Sequence, residues 1–167
     1  DPDLLESVHQ VNQRQRMFLF HKITDRYGED LGGRCFALWG IAFKPKTDDI
    51  REAPAVTLIE NLLEAGATVR AHDPQALENL RRQFGNERIT YHSQCYEALD
   101  GADALAVVTE WNEFRSPDFS EMRQRLKQPI IFDGRNIYSV SVMKKLHFEY
   151  YSIGRPAVNR AVTHKST

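Results

Sequence analysis

From Asp3 to Tyr27 the apolar residues recur at helical spacing. Leu4, Val8, Val11, Gln15 and Phe18 follow a three-then-four step, and Leu5, Asn12, Leu19 and Ile23 flank that stripe. Such a step lines up side chains on one face of a 3.6-residue turn. No Gly or Pro interrupts the run before Gly28, and Gly32-Gly33 then punctuates the chain. The pattern predicts one long helix. A helix of this length suits a spacer or a dimer surface, and equally a helix packed on its own domain.

After Gly33 the period changes. Cys35–Trp39 is a short continuous apolar run, the signature of a strand covered on both faces. Ala55–Ala65 is helical, with Leu58, Ile59, Leu62 and Leu63 on one side and Gly66 as its stop. Thr68–His72 reads as a second strand. Asp73-Pro74 supplies a cap and a first helical residue for a helix to about Phe84. Strands are then predicted at 89–92, 102–109, 130–133 and 148–152, and helices at 94–99, 119–127 and 137–145. Strands that alternate with helices mean βαβ units. The predicted fold is α/β: a Rossmann-like doubly wound, mostly parallel six-stranded sheet preceded by a long helix. This divides the chain into a leading helix over 1–31, a sheet domain over 33–156 and an irregular tail over 157–167.

Composition narrows the function. Of 167 residues, 22 are Lys or Arg and 23 are Asp or Glu, a net charge of −1. That balance excludes a nucleic-acid binder that works by neutralising many phosphates. No apolar run approaches a membrane span, and the acidic N-terminus is no signal peptide. Two cysteines, Cys35 and Cys95, make no disulfide framework and fit a reducing, cytoplasmic setting. The six histidines show no metal-ligand spacing with them, so no metal is expected. The chain opens at Asp1, as a piece of a longer protein would.

Ligands of an open α/β sheet bind beyond the carboxyl ends of the strands, where strand order reverses. Three loops lie there. The first, Gly40–Pro54, holds a single glycine instead of G-x-G-x-x-G, with Phe43, Lys44, Lys46 and Arg51 beside Asp48, Asp49 and Glu52. An aromatic next to a cation suits a nucleobase and a phosphate. The other reading is a solvated loop with internal ion pairs. The second loop, Thr109–Phe114, is a pocket wall or, as its residues favour, a hydrophobic anchor for the next helix. The third, Asp133–Asn136, offers Gly134 for close approach and Arg135 for phosphate, or for a nearby acid. Cys35 is expected in the core and Cys95 has no activating partner. Asp73 stands where an acid would hold a ribose, although a helix cap is favoured.

Four segments occur here in one order: Gly40–Pro54, Leu63–Pro74, Thr109-Glu-Trp111 and Phe132–Asn136. Together they resemble the C-terminal part of the UDP-glucose/GDP-mannose dehydrogenase family, its bacterial UDP-glucose 6-dehydrogenase branch above all. Val8–Phe18, with Val11-Asn12 and Gln15, resembles the family helix that enters this domain. The resemblance implies a domain that holds the nucleotide of a UDP-sugar, UDP-glucose or the product UDP-glucuronate. It implies substrate contacts from Phe43, Lys44 and Arg135, and a cofactor contact from Arg51 toward the pyrophosphate of NAD. NAD itself belongs mainly to an N-terminal domain. The family reaction oxidises an alcohol to a carboxylate with two NAD through a cysteine thioester. The resemblance places that cysteine ahead of the leading helix, so no catalytic residue is assigned here and this chain alone is expected to be inactive. A homodimer around the helical region is implied as well. The alternatives are a non-catalytic nucleotide-sugar-binding or oligomerisation module, or a GDP-mannose or UDP-N-acetylhexosamine dehydrogenase of the same family.

Overall fold

A computed structural model describes residues 1–159, apart from the side chains of Val11, Asn12 and Gln15. Most of the tail predicted over 157–167 lies outside the described residues. The elements are α1 (Pro2–Tyr27), β1 (Cys35–Trp39), α2 (Pro54–Glu64), β2 (Thr68–His72), α3 (Leu77–Phe84), β3 (Ile89–Tyr91), β4 (Ala104–Val107), α4 (Phe119–Arg125), β5 (Ile130–Asp133), α5 (Val140–Lys145) and β6 (Glu149–Tyr151). Short 3-10 turns at Glu97–Leu99 and Asn112–Phe114 complete the chain. The first of these replaces the short helix predicted over 94–99.

The six strands form one sheet in the order β3-β2-β1-β4-β5-β6, and all five pairings are parallel. This is the doubly wound order, with its reversal between β1 and β4. Alternate strand residues feed two cores. One face packs Phe36, Leu38, Val69, Ala104 and Phe132 under α1, α2 and α3. The other packs Ala37, Trp39, Leu105, Ile131 and Tyr150 under α4, α5 and the 3-10 turns. Burial on both faces is why β1 and β4 read as continuous apolar runs.

α1 divides into two parts. Leu19 and Ile23 are buried against α2 and β5, each contributing about 1.5–3 kcal/mol. Arg26 adds an ion pair of 2.5 Å with Glu149 of β6, whose carboxylate also accepts from Tyr151 Oη at 2.9 Å. The first turns stand free, with Leu4, Leu5 and Val8 exposed.

Three other expectations need correction. α3 starts at Leu77, three residues later than predicted, and Asp73 caps the preceding turn by accepting from Gln75 N and Ala76 N at 2.8 Å each. α5 starts at Val140, capped by Ser139, and residues 137 and 138 ahead of it give their N–H groups to Asp133. Cys35 is half-buried at the start of β1, outside the fully buried core. The stretch after Gly154 is tied down as far as it is described. Arg155 bonds Tyr138 O, Ser152 Oγ and Tyr150 Oη, and Val158 bridges Tyr150 antiparallel.

Candidate functional site

β1 and β4 run side by side and their chains part at the carboxyl end, which opens the sheet there. A cleft of about 540 Å3 occupies the gap. Phe43 and Glu52 come to it from the loop after β1, Val108 from the end of β4, and Gly134 and Arg135 from the loop after β5. Arg16 and Phe18 of α1 close the other side. The size and the mixture of apolar wall and few charges suit a small-molecule site.

The loops after β1 and β5 are each held by a buried carboxylate. Asp73, at the end of β2, is 3 % exposed. One of its oxygens caps the turn before α3. The other accepts from Ile41 N at 2.7 Å and Ala42 N at 3.0 Å, the first residues past Gly40. Asp133, fully buried, accepts from Arg135 N, Ile137 N, Tyr138 N and Tyr150 Oη. Gly40 has φ +91°, and a Cβ on it would lie 2.5 Å from Thr109 Cβ. Its lack of a side chain lets the β4 loop close over β1, and Thr109 Oγ1 then donates to Ala42 O at 2.7 Å. Asn136 clasps Ile153 in both directions, at 2.9 and 2.8 Å, and so brings Ile153 to the cleft wall.

These bonds decide what the sheet can hold. A dinucleotide pyrophosphate in a doubly wound fold takes the first backbone N–H groups after β1, at a helix N-terminus. Here Ile41 N and Ala42 N are taken by Asp73, the approach over Gly40 is filled by Thr109, and α2 begins only at Pro54. The residues present do not fit an NAD cradle.

The predicted site residues separate into three places. Phe43 and Arg135 share the cleft, with the Phe43 ring 56 % exposed. Lys44 is exposed beside Phe43 but is not part of the cleft wall. Arg51 lines a different, shallow depression with Asn79 and Arg82. Its guanidinium grips Asp49 at 2.9 and 3.0 Å, and those bonds hold the Asp49 carboxyl down to about 2. The first loop thus carries an internal ion pair at Arg51 and an outward aromatic at Phe43. Arg135 likewise pairs with an acid, Glu110, and the bond holds the Glu110 carboxyl below its ordinary range.

The second loop is the anchor that its residues favour. Phe114 is fully buried and stacks on Trp39 at 5.1 Å, and its carbonyl accepts from Tyr138 Oη. Burial pushes the Cys95 thiol up, the opposite of an activated nucleophile. No group of His, Cys, Asp or Glu placed to hold a metal occurs among the described residues. Among the described residues no helix is long and apolar enough to cross a membrane. Two wall residues escaped the sequence reading, Arg16 and Ile153. Arg16 lies within 3.8 Å of Glu52, and its one sequence signal was its place on the helix face shared with Leu19 and Ile23.

Residues 37–140, most of the sheet and all three loops, match the sequence model of the UDP-glucose/GDP-mannose dehydrogenase family, UDP binding domain. The chain belongs to this family. It is 44 % identical over 160 residues to the UDP-glucose 6-dehydrogenase of Pseudomonas aeruginosa, covering 93 % of this chain and 35 % of that one. It is 40 % identical over 153 residues to the enzyme of the same name from Rhizobium meliloti, again over 92 % of this chain and 35 % of the relative. Among solved structures it superposes on a UDP-glucose dehydrogenase from Pyrobaculum islandicum with a TM-score of 0.68 at 32 % identity, covering 79 % of this chain and 28 % of that one. The chain spans about a third of the length of the curated relatives it matches.

Proposed function

We propose that the cleft holds the nucleoside diphosphate part of a UDP-sugar, as the substrate-holding domain of an NAD-dependent UDP-glucose 6-dehydrogenase. The observation that carries this is the exposed Phe43 ring sharing one cleft with the Arg135 guanidinium at the strand-order reversal. The ring stacks on the base, worth about 1–3 kcal/mol. Arg135 gives charge-assisted hydrogen bonds to the diphosphate, about 1.5–3 kcal/mol each. Lys44 adds a mobile charge at the rim. Arg51, in its separate depression, is assigned to the NAD held elsewhere in the longer protein. Neither Cys35 nor Cys95 is a nucleophile here, so this chain alone oxidises nothing. The free face of α1, by family resemblance, is covered by a second copy.

Lost ligand freedom offsets several kcal/mol of these gains. The expected UDP affinity of this chain therefore lies at roughly high micromolar to millimolar Kd. Chemical-shift titration with UDP tests the reading. Shifts are expected at Phe43, Lys44 and Arg135. Lys44→Ala or Arg135→Ala should weaken binding about tenfold, and Arg51→Ala should leave it nearly unchanged. Shifts that avoid the cleft, or Arg51→Ala as the most damaging change, would show that the site is elsewhere.

A further inference from the structure

β4 and β5 end in register, Val107 opposite Asp133. The residues just beyond them, Glu110 and Arg135, therefore meet, and Arg135 Nε donates to Glu110 Oε2. The base of the arginine is fixed separately. Its backbone N–H donates to Asp133 at 2.9 Å, and Gly134 N donates to Val107 O at 2.8 Å. A guanidinium is a planar fork whose Nε edge and terminal edge face different ways. With Nε taken, the terminal edge is what remains. Among the described residues neither terminal nitrogen of Arg135 has a hydrogen-bond partner. The two side chains also front different spaces. Arg135 lines the cleft with Phe43 and Arg16, whereas Glu110 lines the neighbouring depression with Trp111 and Glu113. Glu110 thus stands behind the guanidinium as seen from the cleft.

We infer that Glu110 is a positioning residue. By holding Arg135 through Nε, it presents the two terminal nitrogens as a bidentate edge to a diphosphate in the cleft. This rests on the nucleotide reading above. An arginine on a loop otherwise samples many rotamers and must be ordered by the ligand, which weakens binding. The carboxylate has an opposing effect, because its charge repels the same diphosphate. The acceptor and the charge are separable. Glutamine keeps an oxygen for Nε and removes the charge, and alanine removes both.

The test measures UDP binding to the 167-residue chain by calorimetry, together with the Arg135 Nε–H signal in nitrogen-resolved NMR spectra. Glu110→Ala should weaken UDP about threefold to tenfold, and Glu110→Gln should stay within about twofold of the unaltered chain. In an Arg135→Ala background, Glu110→Ala should cause no further loss, since its effect passes through the arginine. The Nε–H should be protected from exchange in the unaltered chain and the Gln variant, and unprotected in the Ala variant. If both variants bind more tightly, Glu110 is only a competing anion. If neither changes binding, or if Gln weakens it as much as Ala, the positioning role is overturned. Nε–H exchange as fast in the unaltered chain as in Glu110→Ala overturns it without reference to any ligand. Absence of UDP shifts at Phe43 and Arg135 in the unaltered chain instead sinks the nucleotide reading itself.

Discussion

Asp73→Ala removes one side chain and leaves four backbone donors without their acceptor. In the native protein Ile41 N, Ala42 N, Gln75 N and Ala76 N converge on that carboxylate at 2.7–3.0 Å. Ile41, Ala42 and Ala76 are at most 2 % exposed. A buried donor left unsatisfied costs about 1–3 kcal/mol. Three of them give about 3 kcal/mol at the lower end, which applies because a vacated polar site admits water. A domain of this kind is stable by about 5–15 kcal/mol, so the loss is a large share. At about 2–4 °C per kcal/mol, the midpoint of thermal unfolding should fall by about 6–12 °C. Asp73→Asn is no rescue, because its amide NH2 would face two of the same donors. Urea unfolding with an unchanged slope measures the difference. Hydrogen exchange at Ile41 and Ala42, the residues leading into Phe43, should rise selectively. A loss below about 1 kcal/mol for Asp73→Ala, or an Asn variant as stable as the native chain, would refute the claim that this carboxylate holds the loop.

All six tyrosines carry hydroxyls raised above their ordinary value, burial being the first cause, with Tyr27 and Tyr151 pushed up to about 12. A folded-state pKa above the unfolded value of about 10 gives stability that is complete below that pH and lost as pH rises toward 12. Ultraviolet titration of tyrosinate should show native midpoints above the free value and alkaline unfolding on the same ramp; several tyrosines titrating near 10 in folded protein would contradict this. Leu4, Leu5 and Val8 are 66, 72 and 51 % exposed on the free part of α1, so light scattering should report a dimer that Leu4→Glu together with Val8→Glu dissociates. A monomeric mass at high concentration, with the helix intact by circular dichroism, argues against a second copy on this face.

Apart from the 3-10 turns at Glu97–Leu99 and Asn112–Phe114, element types, their order and the apolar faces could be read along the chain, because each depends on neighbours in sequence. Glycine and proline end helices locally, and a strand buried on both faces shows itself as an unbroken apolar run, as in Cys35–Trp39. The absence of a glycine-rich turn after Trp39 already spoke against a dinucleotide, and the motif order pointed to the family. α3 and α5 begin three residues later than the pattern predicts, with the residues ahead of them held in turns on Asp73 and Asp133. The same two carboxylates hold Ile41, Ala42 and Tyr150, contacts that exist only once the chain has folded. Long-range contacts built the cleft. Phe43 and Arg135 stand 92 positions apart in the chain and share a cleft because the strand order reverses between β1 and β4. Lys44, adjacent to Phe43, falls outside the cleft wall, and Arg16 enters it from a helix that precedes the sheet. Sequence proximity sets which backbone conformations are possible; which side chains meet depends on loop closures that span most of the chain, and no local pattern encodes those.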